Sequence, residues 1–424
     1  MASCSRIAGA LVLLVAVAIA AWPQVGLKFA HDVVMTLDVM LSEHTTLLPS
    51  SGPLSPCAAG GTTAGAAAMR CDRQPLLYRL RWRIARLSEQ WLVNRVDPRP
   101  ELPVEEVPAR SLADWEIHDF SRPLVARGFM ADAAIAKWNL RSMAQRFGDA
   151  QVLIWNGMTT STTPDNFLET GAEYVPFRKF LQELGEHKTT AYINNYDMLF
   201  LAYKAELNTP AMRRAMGGSL VGGQLFIGAN ATGTAFHCAM YHNLFVQIAG
   251  RKRWCFVPPH QTHFIRARVS NNVEVPYGIS MLDVDKNPGV WARLERYCTV
   301  LERGDVLLAP SWHWHRVENL APVNMGSSSR WVVNRIGGIV ADFANHPAMS
   351  ILFPFDVMLF VSRLFGYEPK VGPNSFFPIG ESLWTDWIIE GSRLQNPEWK
   401  VEDAVSAATL RDARDPESAD VFLL

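Results

Sequence analysis

Between residues 191 and 335 the apolar positions fall in short runs broken by glycine and proline, at 224–227, 235–241, 244–248, 253–257, 305–308 and 331–334. Runs of that length, separated by turn residues and few helical stretches, predict a β-sandwich or barrel. Upstream the period changes. Leu77, Leu80, Ile84, Leu87 and Trp91 recur at steps of three and four, with Arg79, Arg83 and Arg86 mostly off the stripe. That spacing predicts an amphipathic helix docked on the main domain. Pro98, Pro100, Pro103 and Pro108 then end the helix and mark a boundary. Residues 122–128 and 152–155 read as short strands, and 131–147 and 177–184 as helices, while the tail from 340 reads as mixed and helical.

The first residues carry a different pattern. Arg6 precedes an uncharged apolar run, 7–22, which ends at Pro23. Its length lies between a signal-peptide core and a membrane span. Two readings stay open: a signal peptide cleaved near Ala18 and Ala20, or a retained signal-anchor. Either one sends the rest of the chain into the secretory pathway, to a lumenal or secreted location, with the anchor reading making it a single-pass membrane protein. Residues 49–69, rich in Ala, Gly, Ser and Thr, read as a linker, because such a composition buries too little apolar surface to order itself. The expected division is a signal peptide or anchor at 1–25, a linker and amphipathic helix at 26–110, the β domain at 111–338 and a helical extension at 339–424. Pro354, Asp356 and Arg363 interrupt the late apolar stretch 349–365, which argues against a second span.

Composition changes this picture little. Hydrophobic residues are 49% and charged residues 19%, as in a well-buried globular chain, and the net charge of −1 supplies no field that would recruit nucleic acid. The six cysteines fit an oxidising compartment. Cys57 and Cys71 flank a small-residue loop and could pair, whereas Cys238 and Cys255 lie in strand-like runs and are expected as buried free thiols. The one sequon, Asn230-Ala231-Thr232, falls just before an expected strand.

Four of the eleven histidines, His237, His242, His313 and His315, lie in strand-like segments. With a period of two, His237, Ala239 and Tyr241 share one face of their strand, and His313 and His315 share one face of theirs. A barrel joining those strands would place two imidazoles around one metal ion.

Three segments resemble the cupin-like JmjC family of Fe(II)- and 2-oxoglutarate-dependent oxygenases. They are RPLVARG at 122–128 with its continuation to Asp149, TAFHCA at 234–239 with NLFVQIAGRKRW at 243–254, and GDVLLAPSWHWHRVEN at 304–319. The resemblance covers roughly 115–335. It implies a mainly β fold, a double-stranded β-helix of the cupin or jelly-roll type with flanking helices. It further implies Fe(II) held by His237 and His315, and 2-oxoglutarate held by Lys252, with Thr234, Tyr192 and Asn243 as its polar partners. By analogy with the family the tail after 340 is a candidate homodimer surface. The implied activity is that of a dioxygenase-like oxidoreductase on an unidentified protein or small-molecule substrate.

One position departs from the pattern. Ala239 stands where the family carries a metal-binding Asp or Glu, and a methyl group cannot coordinate. Three consequences stay open: a halogenase-like site with chloride beside Ala239, a site completed by another side chain such as His313, and a non-catalytic binding or scaffolding protein with a vestigial site.

Overall fold

The structure, a computed structural model, describes residues 23–41, 76–107, 114–161, 171–196, 203–269, 277–333, 335–347, 350 and 355–365. Two helices come first, α1 (Pro23–Leu41) and α2 (Leu76–Arg95). The short strands β1 (Leu102–Pro103), β2 (Glu105–Glu106) and β3 (Leu124–Ala126) follow. Then come α3 (Leu140–Phe147), β4 (Gln151–Asn156), β5 (Gly171–Pro176), α4 (Phe177–Gly185), β6 (Tyr192–Tyr196) and α5 (Thr209–Met216). The barrel proper is built from β7 (Gly218–Gly228), β8 (Gly233–Ala239), β9 (His242–Ala249), β10 (Lys252–Val257), β11 (Ala267–Val269) and β12 (Tyr277–Ser280). After α6 (Pro288–Trp291) it continues with β13 (Tyr297–Leu301), β14 (Val306–Ala309), β15 (Trp314–Asn319) and β16 (Asn324–Val333). Helices α7 (Ile336–Asn345) and α8 (Phe355–Leu364) close the described chain.

The strands form two sheets. One runs β1-β13-β10-β15-β8-β12-β11 and the other β2-β3-β14-β9-β16-β7-β6-β4-β5. Among the described residues all pairs are antiparallel except β1 with β13 and β2 with β3. The result is the expected jelly roll. Alternation along each strand sorts its side chains. Val125, Phe245, Trp254, Phe256, Leu301, Leu307, Ala309 and Val317 meet between the sheets as one apolar cluster. The opposite face of the larger sheet is sealed by Leu244, Val246, Ile248, Val306, Leu308 and Trp331 packed on Trp138, Phe147, Phe180 and Met212 from the helical layer. The outer face of the smaller sheet, with Phe236, Cys238 and Trp314, packs on Met35 of α1, Leu92 of α2 and Phe264.

Several expectations change at this level. The stretch 131–147 is not one helix: a 3-10 turn at Ala134–Lys137 precedes α3, and Asn139 separates them by capping α3 in a reciprocal pair with Ser142. The region assigned to linker and one amphipathic helix also holds α1. Its Leu27, Ala30 and Val34 pack on Ile84 of α2. Pro103 sits in β1, at the edge of the smaller sheet, where its missing N–H costs no ladder bond. Cys255 is not a free thiol: it is disulfide-bonded to Cys298, its direct cross-strand neighbour between β10 and β13. Cys238 is free and buried. The run 7–22, the Cys57 and Cys71 loop and the tail beyond 365 lie outside the described residues, within which no helix is long and apolar enough to cross a membrane.

Candidate metal and 2-oxo acid site

His237 on β8 and His315 on β15 are direct cross-strand partners. Their ring centroids lie 4.2 Å apart with 59° between the planes. Two residues beyond that pair the register slips, so that Val317 faces Thr234 rather than Ala235. This bulge absorbs one extra residue on β8 and turns Thr234 and His237, three apart, toward the same interior face. Each imidazole is oriented by its own backbone. His237 Nδ1 lies 2.9 Å from the Ala235 carbonyl and His315 Nδ1 2.8 Å from the His313 carbonyl, so Nδ1 carries the proton and the lone pair is on Nε2. Burial pushes the His237 pKa down to about 4 and that of His315 well below its ordinary value, which keeps both rings neutral and able to ligate. Trp254 stacks on His315 at 5.3 Å and holds its plane.

Lys252 is the second conspicuous feature. Its side chain has no solvent exposure, and its Nζ has no hydrogen-bond partner among the described residues. The ammonium faces the rings of Tyr192, Phe226 and Phe245 at 5.4, 5.7 and 5.7 Å. Burial alone pulls its pKa down to about 7. Ring faces stabilise a cation by about 1–2 kcal/mol, less than the several kcal/mol a buried unpaired charge costs. An acidic ligand would close that gap. Tyr192 reaches this place because Gly228, across from it in β7, has no side chain: a Cβ there would stand 2.5 Å from the tyrosine ring. Burial raises the Tyr192 pKa, so its hydroxyl stays protonated and can donate. Thr234 is buried, and Asn243 accepts a hydrogen bond from Ser328 at 2.7 Å.

The residues that could replace the missing carboxylate lie elsewhere. His242 Nδ1 accepts from the Ser311 N–H at 3.1 Å, and its Nε2 faces Asp342 of α7 at 3.5 Å. Tyr241 packs into the apolar cluster on the outer face. His313 is buried with Nδ1 3.2 Å from the Ser311 carbonyl, and it acts electrostatically on His242 and His260 as well as on His315. Among the described residues no third His, Cys, Asp or Glu joins His237 and His315 in a compact ligand set; the one such trio, Glu101, Cys255 and Cys298, includes the disulfide sulfurs. Ala239 closes β8, its carbonyl accepting from the Trp312 N–H at 2.8 Å.

One group near the pair was not expected. Arg330 of β16 lies in register opposite Asn243, and its guanidinium donates to Gln224 at 2.9 Å. Its positive charge acts on both His237 and His315.

A two-histidine site inside a jelly roll, with a buried lysine on the neighbouring strand, defines a cupin-like domain of the JmjC type. A cupin-like domain family matches residues 112–331, more than half of the 424, and the chain belongs to that family. Among known proteins the chain is similar to HSPB1-associated protein 1 of Homo sapiens, 26% identical over 249 residues covering 51% of this chain and 49% of the relative. It is 34% identical to the Danio rerio homolog over 118 residues, covering 26% of this chain and 25% of the relative. A third likeness is to the 2-oxoglutarate and iron-dependent oxygenase JMJD4 of Danio rerio, 30% over 103 residues, 23% of each chain. The chain thus spans about half, or less, of the length of the relatives it matches.

Proposed function

We propose that this chain is a 2-oxoglutarate- and Fe(II)-dependent oxygenase-type protein with a two-histidine metal site, acting on an unidentified protein or small molecule. Lys252 carries the reading: a buried ammonium without a hydrogen-bond partner among the described residues, on the strand beside His315, fits the distal carboxylate of a dicarboxylic 2-oxo acid. The name of the JMJD4 relative states the same two cofactors for that protein. His237 and His315 would ligate the metal through Nε2, Thr234 and Tyr192 would donate to the ligand carboxylate beside Lys252, and Asn243 would line the same space. When bound, iron and 2-oxoglutarate supply oxidation of a substrate coupled to release of succinate and carbon dioxide.

A lumenal or secreted location, reached through the apolar run at 7–22, goes with this reading. The Cys255–Cys298 disulfide supports it, because such bonds persist in oxidising compartments. A homodimer through the tail after 340 belongs to the same proposal.

Ala239 favours a second reading, a barrel that binds its ligand without turning over, since a lost protein ligand weakens iron retention. The test is the full chain with Fe(II), 2-oxoglutarate and oxygen, with and without chloride, followed by metal stoichiometry and succinate formation. Succinate in any condition supports the enzyme, a chloride requirement supports the halogenase-like variant, and iron-free protein without succinate leaves the binding protein. Ala239→Asp supplies a third ligand, and iron affinity is expected to rise by at least about tenfold.

A further inference from the structure

The interior of the barrel holds cations where a metal site needs an anion. Among the described residues Lys252 on β10 has no hydrogen-bond partner, and the indole N–H of Trp254, two residues along the same inward face, is also buried without one. Arg330 of β16 belongs to the opposing sheet. The pairing of Ser328 with Asn243 and of Arg330 with Gln224 places both residues of β16 on its inward face, against the outward-facing Ser329 and Trp331. Trp331 is packed into the helical layer, so the alternation of β16 leaves Arg330 toward the histidines. No carboxylate joins His237 and His315 in a ligand cluster among the described residues, and Ala239 removes the one the family would place there.

A divalent ion entering this site meets two imidazoles, a guanidinium and no carboxylate among the described residues, a combination that attracts it weakly and repels it at once. A dicarboxylate meets two cations and a spare N–H donor. From this juxtaposition of Arg330 and Lys252 about the His237–His315 pair we infer that the barrel binds a dicarboxylic 2-oxo acid without metal, and that the metal enters only afterwards. Lys252 holds one carboxylate, and Arg330 anchors the acid group beside the histidines. The bound ligand then supplies the negative charge that the chain lacks at Ala239. Arg330 is thereby a ligand-binding residue, and Gln224, bonded to it, a positioning residue. The inference rests on the proposed 2-oxoglutarate site and adds the order of binding and the second anchor.

Isothermal titration of the full chain tests it, with 2-oxoglutarate in EDTA and with Mn(II) under both ligand-free and ligand-saturated conditions. Expected are 2-oxoglutarate binding in EDTA that changes less than about threefold in His237→Ala/His315→Ala, and Mn(II) binding at least tenfold tighter with the acid present. Arg330→Gln should weaken the acid at least tenfold in EDTA, whereas Arg330→Lys, which keeps the charge, should recover most of it. An unchanged melting temperature in Arg330→Gln separates lost binding from lost folding. Mn(II) binding equally well without the acid, or the acid binding only with Mn(II), overturns the inference and leaves the proposed cofactors standing. Failure of both ligands to bind in any order overturns the proposed function with it.

Discussion

Lys252 is costly to the unliganded fold. Its ordinary pKa of 10.5 falls to about 7 on burial, so the unfolded chain binds more protons than the native one between those values, and stability rises with pH across that window. The penalty at neutral pH is on the order of a few kcal/mol. Lys252→Met removes it, and the variant should melt roughly 3–10 °C higher while losing 2-oxoglutarate binding. A variant that melts lower would mean that the lysine is structural. Ligand binding carries the complementary signature. A carboxylate against Nζ restores the ammonium, so binding takes up a proton above pH 7, and affinity should fall as pH rises from 7 to 9 when followed by titration in buffers of differing ionisation enthalpy. The histidine pair was legible from period-two alternation, yet that rule puts Thr234 on the face opposite His237; the bulge at β8 and β15 brings them together. Arg330 escaped notice because an arginine after three serines reads as solvent-facing, and only the pairing of β16 with β9 and β7 turns it inward.

At the scale of elements, the Cys255–Cys298 bond ties β10, the strand carrying Lys252 and Trp254, to β13. The sequence separation of 43 corresponds to a chain-entropy stabilisation of about 4 kcal/mol. Cys255→Ser/Cys298→Ser should accordingly lower the denaturation midpoint without changing the ligands of the site, which chemical denaturation and titration of the same sample would check. Sequence could not find this pair, because two cysteines in separate strand-like runs carry no mark of register. Helices α1 and α2 are docked by Glu89 of α2, paired with Arg266 at 2.5 and 2.8 Å, and by a buried set of His31 in α1, His263 and His346. Asp32, Lys28, Arg81 and His260 are the other charged or titratable groups around that set. Burial holds His263 at about pKa 3 and His346 at about 4, and lowers His31. These histidines are neutral when folded and take up protons when released, so docking is complete above pH 6.5 and weakens as pH falls toward 4. The protection of α1 amides, taken relative to intrinsic exchange at each pH, should therefore fall at pH 5 relative to pH 7.5, while β9 and β16 stay protected; equal protection of α1 at both values would count against this. The stripe from Leu77 to Trp91 announced α2, whereas α1 was hidden by its junction with the apolar run before Pro23.

Across the whole molecule, membership of the cupin-like family and the jelly roll agree with the sequence reading, because long segments matched in order and internal spacing. The chemistry at Ala239 was legible only as a gap. What fills that gap depends on charges from two strands, one in each sheet, which no linear pattern contains. His237 and His315 are proposed to hold iron together with a 2-oxo acid anchored by Lys252. Anaerobic addition of Fe(II) and 2-oxoglutarate to the full chain, watched in the visible spectrum, reads chelation of the acid on the metal directly. The proposed site requires a charge-transfer band that needs both additions and disappears in His315→Ala and in Lys252→Met. A spectrum without that band in the wild-type chain, or a band that persists in His315→Ala, would contradict it.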